Sequence, residues 1–454
     1  MNRFHIRARH SWRAVLIALG ALAASVPARA QQPVAAPVLD SATTLRLDTL
    51  LELPAVIDRA LATNPQATQG EAGVRKAQSE GRVAKGAYLP SVNLNSAALR
   101  SDIMSGNASV PGGPPVPSAS AYSAGISSSL ELYTGGRRSA EVARTRASLG
   151  AAQAINVSTR FAVTLQAQRA YFEALRGGDL LAVARARVVR AQAGLRYARD
   201  RVRAGTATRS DQLRAELELT SAEQQMLAAS DTLQAAAFAL GRLVGSDGAV
   251  GARPPASLEP IPLSLGDSEI VRLAAASSPE VRAAEASSRA SEATTRVARA
   301  QYLPDVRLTG GYNVANESVV IGALRPGWTV GLGMSFPVFN GFQREDAVVQ
   351  ADAENDVARA IALDATRQAR AEAARLINAL HLADRNVALA TQAVTAARED
   401  LRVQTERYRA GIATALDRMT SELSVTQAEL GLVAAHYNYQ VTRATLEALI
   451  GRTL

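Results

Sequence analysis

Residues 344–410 run for 67 positions without a Gly or a Pro. As one α-helix that stretch is about 100 Å long, at 1.5 Å per residue. A globular domain cannot bury such a helix, so it must lie along other long helices. Its apolar register shows how. Ala369, Ala373, Leu376, Leu380, Ala383, Val387, Ala390, Val394, Ala397 and Leu401 keep an unbroken four-three spacing, the seam of a coiled coil. The many small residues suit close helix approach. The other faces carry Arg, Glu, Gln and Asp and must meet water or a polar lumen.

The seam recurs 206 residues earlier as Val163, Ala167, Ala170, Ala174, Gly177, Leu181, Ala184, Val188, Ala191 and Leu195. Other pairs keep that offset: Tyr133-Thr134-Gly135 with Phe339-Asn340-Gly341, Arg203-Ala204-Gly205 with Arg409-Ala410-Gly411, Asp211 with Asp417, and Gly245 with Gly451. Upstream the offset is 214, pairing Asn64-Pro65 with Ser278-Pro279 and Tyr88-Leu89-Pro90 with Tyr302-Leu303-Pro304. One gap between Leu94 and Tyr133 reconciles the two offsets. The chain is therefore a duplication, with repeats at 51–245 and 267–451, a Pro/Gly-rich linker at 246–266 and a short end at 452–454. Each repeat reads as a helix leading into Tyr-Leu-Pro, two alternating segments, the long helix, a Gly turn and a return helix.

The alternating segments have period two. Trp328, Val330, Leu332, Met334 and Phe336 alternate with Thr329, Gly331, Gly333 and Ser335. Tyr122, Ala124, Ile126, Ser128, Leu130 and Leu132 alternate with Ser123, Gly125, Ser127, Ser129 and Glu131. Apolar residues to lipid and small or polar ones to a lumen is the pattern of a transmembrane β-strand; a soluble half-buried hairpin has the same period. Four strands cannot close a barrel, and an open edge cannot face lipid. Strands of this kind enter a membrane only if several chains share one barrel, and a trimer supplies twelve. Cyclic symmetry then sets the long helices in a ring below it. Tyr88-Leu89-Pro90 and Tyr302-Leu303-Pro304 mark where helix gives way to strand. Tyr88 and Tyr302 either sit at the lipid interface or pack at the joint.

The N-terminus reads as a cleaved signal, residues 1–30: Arg3, Arg7, Arg9 and Arg13, an apolar run from Ala14 to Val26, then Ala28-Arg29-Ala30. Residues 31–50 form an N-terminal extension. Removing 1–30 takes five Arg and no acid from the formal charge of +9, leaving +4, which gives little support to nucleic-acid binding. There is no Cys, hence no disulfide and no lipid anchor on Cys.

On the Tyr-Leu-Pro junctions, PVFNG at 337–341 with ELYTG at 131–135, and the turns RVRAGTATRSDQL (201–213) and RYRAGIATALDRM (407–419), the chain resembles the TolC-type outer-membrane efflux proteins. The resemblance covers almost all of the mature chain. It implies a mainly α protein with a β-barrel part: a long antiparallel α-helical coiled-coil barrel plus four transmembrane strands per chain. Three chains would form a 12-stranded barrel and a periplasmic tunnel, with a belt of short helices near 51–63 and 269–277 and the C-terminal end. It also implies a passive exit duct of a tripartite efflux or type I secretion system. The partners would be a periplasmic adaptor (membrane fusion) protein and an inner-membrane pump of RND, ABC or MFS type.

In that family the turns form the periplasmic tip, where the adaptor docks; Gly205, Asp211 and Gly411 fall there. Gly205 and Gly411 stand where a helix-ending Gly belongs, and each Asp near a helix start also has a purely dipolar role. By resemblance Asp417 lines the constricted entrance and Asp211 lies nearer the outer groove. The family often has a second acid where Thr420 stands. Tyr408 matches a Tyr that helps tie the closed tip, whereas Ala413 stands where some members have an Arg of that network.

No catalytic constellation, phosphate loop or cofactor motif stands out, so an enzyme with a helical body is disfavoured. His381 and His436 fall on different helices and, without Cys, do not suggest a metal site. Arg185, Arg187 and Arg190 read as solvated helix surface. The rival to a duct is a non-pore periplasmic coiled-coil scaffold or adhesin, which needs no lipid-facing strands.

Overall fold

The structure is a computed structural model that describes residues 50–101, 119–316 and 325–454. The expected signal segment, its cleavage site and all but the end of the N-terminal extension lie outside those residues.

Each repeat opens with a short helix and a longer one, α1 (Leu53–Thr63) and α2 (Pro65–Gly86), then α5 (Asp267–Ser277) and α6 (Pro279–Ala300). Proline sets both breaks. The residue before each Pro is pushed out of the helical region, with ψ 127° at Asn64 and 143° at Ser278. Pro then occupies the first helical position, where no N–H is needed. Asn64 and Ser278 cap the new helix, accepting from the Gln66 and Val281 backbone N–H.

After α2 and α6 come β2 (Ser91–Ser101) with β3 (Ala119–Thr134), and β5 (Asp305–Asn316) with β6 (Arg325–Ser335). Tyr88-Leu89-Pro90 and Tyr302-Leu303-Pro304 fill the joints between helix and strand. The two hairpins form one antiparallel sheet in the order β2-β3-β5-β6. Its register aligns the pleat. Leu130, Leu308 and Leu332 lie in one cross-strand row, and Ile126, Tyr312 and Trp328 in another, on the same face. Ser129, Thr309 and Gly331 share the opposite face. Among the described residues β2 and β6 each keep one unpaired edge.

The long helices are α3 (Arg137–Arg203) and α7 (Gln343–Arg409), each of 67 residues. They return as α4 (Arg209–Leu243) and α8 (Ala415–Ile450). α3 is central, packed against α2 and α4 and against α6 and α8; α7 packs on α6 and α8. The seam positions are buried or half-buried throughout. Ala373, Leu380 and Ala383 are at most 2% exposed, and Val163 and Ala167 are fully buried.

A belt crosses the helices midway. α1 packs with Val163, Tyr171 and Leu240 in one core, and α5 packs with Leu376, Leu380 and Leu446 in a second. The linker is strapped into this belt. β1 (Leu50–Leu51) pairs in parallel with β4 (Gly251–Ala252), and the Tyr439 hydroxyl donates to the Ile261 carbonyl at 2.7 Å.

Candidate functional site: the helix-turn tips and the sheet faces

The two turns have the same backbone. Gly205 and Gly411 adopt φ 73° and 79°, the left-handed region that glycine enters without steric cost. Each lies in a Schellman arrangement. Gly205 N–H donates to the Val202 carbonyl at 3.1 Å and Thr206 N–H to Arg201 at 2.9 Å. Gly411 N–H donates to Tyr408 at 3.1 Å and Ile412 N–H to Arg407 at 2.9 Å. The return helices then start with capping boxes. Asp211 N–H donates to the Thr208 hydroxyl and Asp417 N–H to the Thr414 hydroxyl, both at 3.2 Å. In return the Asp211 and Asp417 carboxylates accept from the backbone N–H and hydroxyl of those threonines, at 2.8–3.0 Å. Those donors, backbone N–H first, hold both carboxyls below the usual carboxylate range. Asp417 and Thr420 are exposed, and Asp211 is half-buried. Each Asp thus serves the helix start with one oxygen, and among the described residues its other oxygen accepts no hydrogen bond.

Tyr408 is 3% exposed. The Arg201 guanidinium lies 4.6 Å from its ring centroid and donates to its carbonyl at 3.0 Å. Arg418 approaches the same ring at 5.8 Å, and Ala413 is buried beside the turn. Reciprocally, Arg409 of α7 covers the Tyr197 ring of α3 at 4.8 Å. Two cation–π pairs therefore join the ends of the long helices.

Above them lies a layer of ionic groups. Arg418 and Glu422 pair at 2.5 Å with side chains 7% and 9% exposed. A Cβ at Gly194 would overlap the Arg418 guanidinium, so glycine on α3 makes room for an arginine of α8. Burial pushes the Glu422 carboxyl above its usual range, against the attraction of Arg418. Arg190 and Arg398 both reach Glu429, at 3.2 and 2.9 Å, linking α3, α8 and α7. Arg187 is 8% exposed and pairs with Glu218 of α4 at 2.8 Å. Arg187 and Arg190 are therefore not the solvated helix surface expected of them. Both point across helix interfaces at acids supplied by other helices; only Arg185 is exposed.

On the sheet, Trp328, Val330, Leu332, Met334 and Phe336 are all exposed, the first four at 69–76%. Val92, Leu94, Ile126 and Tyr312 extend that apolar face over the other strands. The opposite face is mainly Ser, Asn, Thr and Gly, with Ala97 and the exposed Leu99 on β2, and ends at Glu131, which accepts from Arg137 and Arg307 at 3.1 Å. At the joints Tyr88 lies under Arg138 at 4.6 Å and Tyr302 under Arg344 at 5.0 Å. Both tyrosines stay roughly half exposed, so each packs at the joint and still shows an edge outward. The same pairing in both repeats was not visible in the sequence, although Arg138 and Arg344 keep the 206-residue offset. His381 is exposed, 3.6 Å from Asp267, and no group of three metal-ligating side chains occurs among the described residues.

A sheet with one apolar face and two free edges, continued into 67-residue helices that end in capped turns, defines the barrel-and-tunnel class of membrane duct. The chain belongs to the outer membrane efflux protein family, whose profile matches residues 56–246 and 270–452, and it is an efflux channel of the outer membrane. It is 26% identical to the pyoverdine export outer membrane protein OpmQ of Pseudomonas putida, covering 83% of this chain and 81% of that one. It is 27% identical to the outer membrane protein OprJ of Pseudomonas aeruginosa, covering 96% and 95%. The fold is similar to the crystal structure of VceC from Vibrio cholerae, with a TM-score of 0.72, 21% identity and coverage of 88% and 96%.

Proposed function

We propose that this chain works as a homotrimer, the passive exit duct of a tripartite efflux or type I secretion assembly. The observation that carries the reading is the sheet: an apolar outward face with unpaired edges at β2 and β6. Lipid does not tolerate an open edge. Joining β6 of one copy to β2 of the next about a threefold axis removes every edge and gives twelve strands. The flank of α7 that has no partner among the described residues carries exposed Val357, Ile361 and Leu389, and the far flank, on α2 and α4, carries Val83, Leu217 and Leu227. These are complementary surfaces for the same rotation.

In this assembly the tips at Gly205, Asp211 and Gly411 dock a periplasmic adaptor. Asp417, Thr420 and Tyr408 surround the entrance, three copies of the acid giving a cation-attracting ring. A pump of RND, ABC or MFS type in the inner membrane supplies the energy, since the chain carries no nucleotide-binding motif. An N-terminal signal, cleaved before Gln31, delivers the chain. A scaffold without a pore leaves the sheet's apolar face unexplained.

The test is cell fractionation combined with crosslinking from the tips. A heat-sensitive trimer in the outer membrane, captured through photoreactive residues placed at Thr206 and Ile412 onto a periplasmic protein during export, is the expected result. A soluble monomer in the periplasm overturns the duct. A trimer whose tips capture nothing removes the docking assignment.

A further inference from the structure

An open groove of about 290 Å³ runs over α8 at the level of the belt, between α3 and α7. Its floor is Asn438, Thr442 and Thr445, one stripe of α8. Arg169 of α3 forms one wall, and Arg375 and Asn386 of α7 the other.

The side on which the groove opens follows from its neighbours. Gln440, two residues from Asn438 and so about 200° round the helix, donates to the Leu258 carbonyl of the belt. On α3, Tyr171 stands in the same relation to Arg169 and donates to the Arg253 carbonyl. Both helices therefore turn one side to the belt and the other to the groove. α3 and α7 flank α8 within a single chain, so the groove is not a junction between copies. In a closed ring of helices it faces the interior, a step that rests on the duct reading above.

The charges in the groove are unequal. Arg375 is held by both oxygens of Glu372, at 2.7 and 2.5 Å. Among the described residues Arg169 has one hydrogen-bond acceptor, the neutral Thr445 hydroxyl at 3.2 Å. A guanidinium with no carboxylate partner among the described residues thus stands over a floor whose polar groups are Asn438, Thr442 and Thr445, with Val441 between them. We infer that this groove is a transit site for small carboxylate-bearing molecules, gripped by Arg169 and oriented by Thr442 and Asn438. A planar guanidinium matches a carboxylate through two parallel N–H donors. Three copies set three such groups at one level of the tunnel, opposite in sign to the three Asp417 at its entrance. Binding must stay weak, because a duct has to release what it holds.

Citrate is the probe. In single-channel recordings of the purified trimer, citrate should reduce the current in a concentration-dependent way. Arg169→Ala should raise the half-blocking concentration about tenfold or more, the loss of one charge-assisted contact. Arg185→Ala removes the same charge from an exposed position 16 residues further on, about 160° round α3, and should leave the block unchanged. Titration of citrate into detergent-solubilised trimer should show the same order of affinities without any current. Equal effects of the two arginine variants, or citrate binding untouched by Arg169→Ala, overturn the site. If Arg169→Ala does not assemble, Thr442→Val reads the same groove, with weaker citrate binding expected and unchanged binding contradicting the proposal. A trimer that binds citrate through Arg169 but passes no current contradicts the duct and leaves the site standing.

Discussion

Arg418 shows how far a single residue depends on its surroundings. Its guanidinium occupies space that exists because residue 194 is Gly, stacks toward Tyr408 and meets Glu422 out of water. Removing one partner of such a pair strands the other, at a cost of about 3–5 kcal/mol, whereas replacing both with apolar residues is often neutral. Arg418→Ala should therefore lower the melting temperature sharply, and Arg418→Met with Glu422→Leu should recover most of it. The pH dependence has a definite sign. Burial raises the folded-state pKa of Glu422, so the folded chain binds this proton more readily than the unfolded chain. Its contribution to stability falls as pH rises from 4.5 through the raised value. Asp211 has the opposite shift, so its stabilisation is present above about 3.8 and is lost as pH falls below it. Thermal melts across pH check both: Glu422→Gln should flatten the first slope and Asp211→Asn the second. None of the Arg418 network was legible in the sequence. Spacing along one helix says which residues share a face, but not which acid on another helix stands opposite. The capping boxes were half legible, since Asp211 and Asp417 were placed at helix starts without Thr208 and Thr414 as their partners.

At the scale of elements, periodicity carried most of the information. The four-three seam on α7 and its copy on α3 became the buried stripes, because a long helix has no other way to hide apolar surface. Period two located the strands, whereas the short helices ahead of Pro65 and Pro279 were expected only from the family resemblance. Two features escaped. A two-residue strand such as β4 has no period to detect. Phe342 sits at φ 67° where the first repeat has Gly136 at φ 81°, so the side chain gave no hint of its left-handed backbone. The strand faces yield a direct test. Arg at Val330 or Leu332 should cost about 2–4 kcal/mol near the bilayer midplane and reduce heat-resistant trimer on gels. Thr329→Arg, on the opposite face, should be tolerated better. It is a cleaner control than Gly331, whose Cβ would lie 3.2 Å from the Thr309 hydroxyl. Equal losses on both faces would contradict the orientation of the sheet.

The whole molecule is organised by duplication and by incompleteness. Two repeats give a sheet and a helical wall that both stop at open edges, which the proposed trimer closes. Closure turns residues that are unremarkable in one chain into rings. Three Asp417 at a narrow entrance should repel one another, which works against the hydrogen bonds that hold each carboxyl low. The most direct measurement is single-channel recording of the purified trimer in a planar bilayer, with Asp417→Asn and Asp211→Asn compared. An asparagine at 417 still offers an oxygen to Thr414, so the helix start should persist. The duct account predicts a cation-preferring pore blocked by multivalent cations, with Asp417→Asn weakening both properties and Asp211→Asn leaving them in place. No conductance from an intact trimer would contradict the duct, and selectivity that follows Asp211 instead of Asp417 would put the entrance on the other repeat.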